Sequence, residues 1–144
     1  MIDIRRAAPA DLAAVVDLHA RFCEADGHIF SADLATRAFT PLLADDSHGV
    51  VWLVDDPSAR GYAVVTWGWS IESGGRDALV DEIYAEPTGT GVGRALMERL
   101  LADTEERGIR SVFLETEVGN ESARRFYRRL GFESEDSVWM TRRL

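Results

Sequence analysis

The sequence contains a run of closely spaced glycines, a residue type suited to ligand binding. Gly89, Gly91 and Gly93 stand where a strand-forming stretch gives way to a helical pattern. Glycine adopts positive φ and lets a ligand approach the backbone without meeting a Cβ. The first N–H groups of a helix have no helical acceptor, and the helix dipole makes that end positive. The turn therefore predicts a site for a phosphate group. Its predicted contacts are Thr88, Gly89, Thr90, Gly91, Val92, Gly93 and Arg94.

Other interpretations of this glycine turn remain open. One is an ordinary tight turn before a helix. A Walker loop is excluded, because it needs a lysine and the chain contains none. A Rossmann site requires G-x-G-x-x-G, whereas the spacing here is G-x-G-x-G, although Glu115 and Glu117 lie near the expected downstream distance. A small nucleotide-binding oxidoreductase is thus the alternative. A dinucleotide-binding fold, however, needs several further strand–helix units after the glycine turn, and only one more helix and strand remain in this chain.

Two adjacent acids, Asp81 and Glu82, lie inside a predicted strand at 78–85. A carboxylate in a central strand is costly unless it has a partner or lines a wet cleft. Strand alternation sends the two side chains to opposite faces, so that at most one points at a given substrate. A partly desolvated carboxylate has a raised pKa, as a general base for an ammonium group requires. Either acid is a candidate base.

A phenol and an amide lie in the last predicted helix. Tyr127 falls on an apolar stripe with Ala123, Phe126 and Leu130, which alone predicts a core residue. A buried phenol needs a hydrogen-bond partner, and its hydroxyl could equally serve as a proton donor to a ligand. Asn120 precedes the helix and is predicted to be its N-cap.

The first predicted helix carries two further reactive side chains. His19 and Cys23 lie on its apolar stripe, which favours a packed histidine and an inert, buried thiol. Since Cys23 is the only cysteine, neither an intrachain disulfide nor a multi-cysteine metal site is available, and no metal is expected.

Hydrophobic periodicity predicts elements in the order β, α, α, β, β, β, α, β, α, β. A strand, helix, strand unit over 78–118 implies at least one parallel pair in an otherwise mostly antiparallel sheet, which defines a mixed α+β fold. The predicted strands are 2–6, 49–54, 62–71, 78–85, 110–118 and 132–142, the last as one strand or two. The predicted helices begin near residues 9, 31, 92 and 120.

Composition limits the classes of function. The 144 residues suit one domain spanning 1–144, and a net charge of −9 argues against nucleic-acid binding. No apolar run is long enough for a membrane span, and the first residues lack the pattern of a signal peptide, so a cytoplasmic location is expected.

Three segments together resemble the GNAT superfamily of N-acyltransferases. They are E-I-Y-A-E-P at 82–87, G-T-G-V-G-R-A-L at 89–96, and N-E-S-A followed by F-Y and G-F at 120–132. The order of predicted elements also matches, so the resemblance covers nearly the whole chain.

The resemblance implies a sheet that splays open to admit an acyl-CoA, with acetyl-CoA as the expected co-substrate. The glycine turn would bind the CoA pyrophosphate, and backbone groups of Ile83, Tyr84 and Ala85 would pair with the pantetheine arm and polarise the thioester carbonyl. Asn120 would also contact the cofactor.

The implied chemistry is direct transfer of the acyl group to an amine in a ternary complex. Glu82 or Asp81 would take a proton from the amine, and Tyr127 would protonate the departing thiolate. The acceptor groove would be shaped by the loop at 24–31, by the second helix, and by Trp67 and Trp69. A non-catalytic acyl-CoA sensor or partner-binding module is a further alternative, and the resemblance also allows a homodimer.

One departure from the family concerns the loop before the first glycine. Family members have two residues and then Arg or Gln between the proline and that glycine, whereas only Thr88 separates Pro87 from Gly89. We therefore expect a tighter loop in which backbone donors carry most of the phosphate binding.

Overall fold

Five strands form one sheet, described here from a computed structural model that covers all 144 residues. The strands are β1 (Ile4–Arg6), β2 (Gly49–Val54), β3 (Arg60–Ser70), β4 (Gly75–Glu86) and β5 (Val112–Phe113). The helices are α1 (Leu12–Asp26), α2 (Ala32–Ala44), α3 (Val92–Glu106) and α4 (Glu121–Arg129), and a short 3₁₀ turn, Pro9–Asp11, precedes α1.

The strands lie in sequence order, β1-β2-β3-β4-β5. Neighbours are antiparallel except β4 and β5, which are parallel and joined through α3. The predicted α+β class with a mostly antiparallel sheet is confirmed. None of the helices has the length and apolarity that a membrane span requires.

Helices cover both faces of this sheet. On one face Val15 and Leu18 of α1 and Phe39 of α2 pack on alternate residues of β2 and β3. On the other face α3 contacts β2, β3 and β4 through a fully buried stripe that includes Leu96. Every residue of β2 is buried as a result, since both of its faces are covered.

Local signals fix the ends of the helices beside the site. Gly27 ends α1 in the left-handed region, at φ 72°, and its N–H donates to the Cys23 carbonyl. Ser31 caps α2, because its hydroxyl accepts the Leu34 N–H at 3.3 Å. The connection between the helices is therefore held at both ends.

A β-bulge interrupts the ladder between β3 and β4. Val64 pairs with Glu82, whereas the next residue, Val65, pairs with Val80. Asp81 is therefore an extra residue with no opposite partner. A bulge of this kind breaks the alternation of side chains along its strand.

Two predicted strands differ from the structure. The strand expected over 110–118 is only Val112–Phe113, because its pairing with β4 ends at Leu79 and Phe113. The strand-like sequence pattern continues beyond Phe113, but a strand also needs a neighbouring strand to pair with. No strand forms over 132–142, where residues 133–137 are Glu-Ser-Glu-Asp-Ser and the apolar residues 138–140 are exposed.

Residues 1–114 and 115–144 form two compact units, and the single-domain interpretation stays a prediction. The second unit contains α4, which Asn120 caps by accepting the Ala123 N–H at 3.1 Å. Gly131, at φ 92°, ends this helical segment, and the Phe132 N–H donates to the Tyr127 carbonyl.

The packing of α3 on the sheet gives a stability prediction. Leu96→Ala should lower the free energy of unfolding by about 2–5 kcal/mol, because it leaves a cavity at a fully buried position. Urea denaturation measures the change, and Leu144→Ala, at an exposed position, is the control. Equal effects of the two substitutions would show that α3 does not hold the sheet as described.

Candidate active site

Unpaired main-chain groups cluster at the glycine turn. Gly89 and Gly91 have φ values of 74° and 87°, and a Cβ added to either would meet nothing within 4 Å. Gly91 is the N-cap of α3, and no side chain caps this helix. None of the N–H groups from Thr88 to Arg94 has an acceptor within the protein. The turn is thus open to solvent and rich in donors, which suits a phosphate.

Two side chains expected to support this turn have other contacts. The Thr90 hydroxyl donates to the Pro87 carbonyl at 2.8 Å, which closes the turn on itself. Arg94 Nε donates to Glu98 Oε1 at 2.7 Å in an exposed ion pair along the helix. Exposed pairs of this kind contribute little to stability, so the guanidinium can exchange partners at low cost.

The edge of β4 that faces away from β3 leads up to the glycine turn and is largely unpaired. β5 pairs with β4 only at Ala78 and Leu79, whereas β3 follows β4 as far as Glu86. From Val80 onward, the backbone groups of β4 that point away from β3 have no strand partner. This stretch contains Ile83, Tyr84 and Ala85, the residues expected to pair with an extended ligand.

The bulge brings the two acids together. We predicted that Asp81 and Glu82 point to opposite faces of the sheet, and this was wrong: both line one pocket of about 400 Å³. The extra residue in β4 cancels the reversal that strict alternation would impose. Two carboxylates therefore face one cavity.

Glu82 is held in place by two hydrogen bonds to the same oxygen. Tyr62 donates its hydroxyl to Glu82 Oε1 at 2.6 Å, and His19 Nδ1 lies 2.8 Å from the same atom. The other oxygen, Oε2, has no protein partner. Burial, together with the charge of Glu82, raises the pKa of Tyr62 far above its usual value, so that the phenol stays a donor. Glu82 is thus held through Oε1, and Oε2 is left without a protein partner.

Asp81 lies nearer to solvent and forms no hydrogen bond to the protein. Protein atoms crowd its carboxyl group even so, and this burial raises the pKa of Asp81. The negative charge of Glu82 adds to the rise, while His19 opposes it. Asp81 is therefore an acid whose charged form is disfavoured until a cation arrives.

His19 is a site residue that sequence reasoning placed in the core. It is packed among Phe22, Phe30 and Phe39, with ring centroids about 6 Å away, yet it lines the pocket and contacts Glu82. A signal was present, because an imidazole on a buried helix face needs a polar partner. The two acids predicted in the central strand were candidates for that partner.

The second helix lines the pocket, as expected, but neither the loop at 24–31 nor the two tryptophans do. Trp67 donates its Nε1–H to the Asp46 carbonyl at 2.7 Å and packs under Arg107, while Trp69 is exposed. The complete lining is His19, Leu34, Ala35, Ala38, Phe39, Pro41, Leu42, His48, Val64, Thr66, Asp81 and Glu82.

Asn120 and Tyr127 belong to the second unit. Asn120 is exposed, and its Oδ1 caps α4, as the sequence predicted. Tyr127 is half-buried, with its ring edge-on to Phe126 at 5.2 Å and to Phe132 at 5.9 Å. Their assignment to the cofactor and to proton donation stays a prediction.

Comparisons with known proteins relate the chain to acetyltransferases. The chain matches the acetyltransferase (GNAT) family over residues 12–132. It is 32% identical over 142 residues to the aminoglycoside N(6')-acetyltransferase type 1 of Stenotrophomonas maltophilia, covering 94% of this chain and 88% of that protein. It is 39% identical over 88 residues to the chloroplastic serotonin N-acetyltransferase 2 of Oryza sativa, covering 58% of this chain and only 41% of the rice protein.

Solved structures show the same fold. An integron cassette protein from the mobile metagenome of Cole Harbour Salt Marsh superposes with a TM-score of 0.86 at 30% identity, covering 98% of this chain and 90% of its own. A predicted acetyltransferase with acetyl-CoA from Clostridium acetobutylicum superposes with a TM-score of 0.83 at 22% identity, covering 99% and 96%. The second likeness bears on the fold alone.

The environment of Asp81 gives a pH-dependent prediction. Its folded-state pKa lies above the unfolded value of about 3.9, so ionised Asp81 destabilises the fold above that pH. Asp81→Asn should therefore raise the free energy of unfolding at pH 7, and the gain should vanish as the pH falls towards about 4. Urea denaturation at the two pH values tests this, and a loss of stability at pH 7 would contradict it.

Proposed function

Because this chain belongs to the GNAT family of acetyltransferases, we propose that it transfers an acetyl group from acetyl-CoA to a primary amine by direct attack in a ternary complex. The acceptor is a small molecule or a protein amino group. The observation that carries the proposal is the row of unpaired N–H groups at the start of α3, which leads into the free edge of β4. A cytoplasmic location and a homodimer remain expectations from the sequence.

The glycine turn fits the diphosphate of the co-substrate. Its donors are main-chain groups, its glycines leave open space, and the positive end of α3 adds a favourable field. Thr88 stands where relatives in the family have Arg or Gln, so the amides from Gly89 to Arg94 must supply most of the binding.

The free edge of β4 fits the extended arm of the co-substrate. Bound acetyl-CoA supplies an acyl thioester, whose carbonyl carbon is open to attack by an amine. Backbone groups of Ile83, Tyr84 and Ala85 would align this arm along the strand. Alignment of two reactants in one groove is itself a large part of such a rate enhancement.

We assign the general base to Glu82. Tyr62 and His19 fix one of its oxygens, and the other oxygen is free to take a proton from the attacking amine. Asp81, in the same pocket without a hydrogen-bond partner, would attract the ammonium form of the substrate. Tyr127 would give its phenolic proton to the departing thiolate, as the family resemblance implies.

Direct attack needs no protein nucleophile, and Cys23 is unsuited to be one. Its side chain is buried, and burial, followed by the charges of Glu82 and Asp26, raises the pKa of the thiol. A protonated thiol is a poor nucleophile.

The phosphate contact can be tested by adding charge to the turn. Thr90→Glu should weaken acetyl-CoA binding by about tenfold, because a carboxylate would face the diphosphate at close range. Thr90→Gln loses the same bond to Pro87 and is the matched control, with nearly unchanged affinity expected. Calorimetric titration with acetyl-CoA measures both, and an unchanged affinity in Thr90→Glu would locate the diphosphate elsewhere. NAD should not bind to the unmodified protein.

The roles of the two acids separate in kinetics. Glu82→Gln should lower kcat by about 10²–10⁴-fold and remove the acidic limb of the pH–rate profile, since the base is lost. Asp81→Asn should mainly raise KM for the amine. Tyr127→Phe should lower kcat with KM for the amine unchanged.

Steady-state thiol release over pH 6–9 records all three variants. Unchanged turnover in both Glu82→Gln and Tyr127→Phe would mean that this pocket performs no catalysis. A larger kcat loss in Asp81→Asn than in Glu82→Gln would move the base to Asp81.

A further inference from the structure

The acceptor pocket has two chemically different ends. Asp81 and Glu82 form one end, where the bulge turns both carboxylates inward. One face of α2 supplies six lining residues, and Val64, Thr66, His19 and His48 complete the lining. The residues that α2 contributes are all apolar: Leu34, Ala35, Ala38, Phe39, Pro41 and Leu42.

No arginine lines this pocket, and the chain contains no lysine. The basic side chains present are the imidazoles of His19 and His48, and that of His19 is engaged with Glu82. A substrate that carried a carboxylate would meet two acids without a strong cation to pair with. The pocket therefore disfavours free amino acids.

A second positive charge on the substrate would also lack a partner. With one ammonium at the acidic end, another would lie against the apolar face of α2, where no acid lines the wall. An ammonium that moves from water onto this apolar wall loses part of its hydration and gains no ion pair, and this loss outweighs the gain from covering one methylene. The pocket thus disfavours polyamines and polycationic sugars.

Apolar surface continues to the mouth of the pocket. Phe30, on the connection between α1 and α2, lies 5.9 Å from the ring of His19 and is 39% exposed. Leu34, in the first turn of α2, lines the pocket and is 61% exposed. Exposed apolar residues that border a cavity are typical of a ligand site.

We propose that the acceptor is a primary amine with a single positive charge and an uncharged apolar body, either aromatic or aliphatic. This proposal rests on the acetyltransferase function proposed above. The amine lies between Asp81 and Glu82, and the body packs on the face of α2.

Two matched substrate pairs test this specificity. 2-Phenylethylamine and L-phenylalanine differ only by a carboxylate, and n-hexylamine and 1,6-diaminohexane differ only by a second amine. With acetyl-CoA at pH 8, kcat/KM should be at least about tenfold higher for the first member of each pair. Equal or reversed values in both pairs would overturn the proposal.

Binding separates this inference from the enzymatic function. Calorimetric titration of the protein with the same four amines needs no turnover. Tighter binding of 2-phenylethylamine and n-hexylamine without acetylation of any amine would support the pocket assignment and refute the enzyme. Equal binding within each pair, or binding of none, would overturn the pocket assignment whether or not acetylation occurs.

A substitution on α2 gives a second test. Ala38 is exposed and lines the apolar wall, so Ala38→Arg is compatible with the helix and adds the missing cation. It should raise kcat/KM for L-phenylalanine relative to 2-phenylethylamine by about tenfold, whereas Ala38→Met, of similar length, should not. An unchanged ratio in Ala38→Arg would contradict the placement of the substrate body on α2.

Discussion

The unpaired main chain along β4 and at the start of α3 is the constraint on which the site depends. Backbone N–H and C=O groups inside a protein nearly always have partners. Here β3 satisfies one edge of β4 along its length, while β5 leaves the other edge after Leu79. The fold tolerates the open edge because helices cover both faces of the sheet and fix β4 from above and below. A ligand with its own donors and acceptors can pair with the backbone groups of β4 that the sheet leaves unpaired.

The bulge at Asp81 gives this open strand its chemistry. Regular pleating would have placed one acid on each face, and only one could have reached a substrate. The extra residue brings both to the pocket, while Tyr62 and His19 hold Glu82 from two different elements. These hydrogen bonds offset the cost of placing the Glu82 carboxylate in the sheet. Asp81 has no such bond, so its negative charge is unfavourable until a cationic substrate binds beside it.

Short-range patterns were sufficient to predict much of this structure. The glycine turn was predictable because glycines, which favour positive φ, directly precede a helical pattern. Gly89 and Gly91 do adopt positive φ. The cap at Asn120 and the start of a helix near residue 31 followed from similar local signals. The bulge was not predictable, since it arises from the register between two strands rather than from either sequence alone. His19 was misjudged for a related reason: its partner Glu82 lies 63 residues away. The expected strand over 132–142 failed because a local preference cannot supply a neighbouring strand.

The most direct test of the central claim is an amide NMR titration of the protein with coenzyme A. The largest ¹⁵N–¹H shift changes should occur at residues 89–94 and along β4 from residue 80 to 86, where main-chain groups lack partners. Shift changes confined to other parts of the chain, with these amides unaffected at saturating coenzyme A, would contradict that claim.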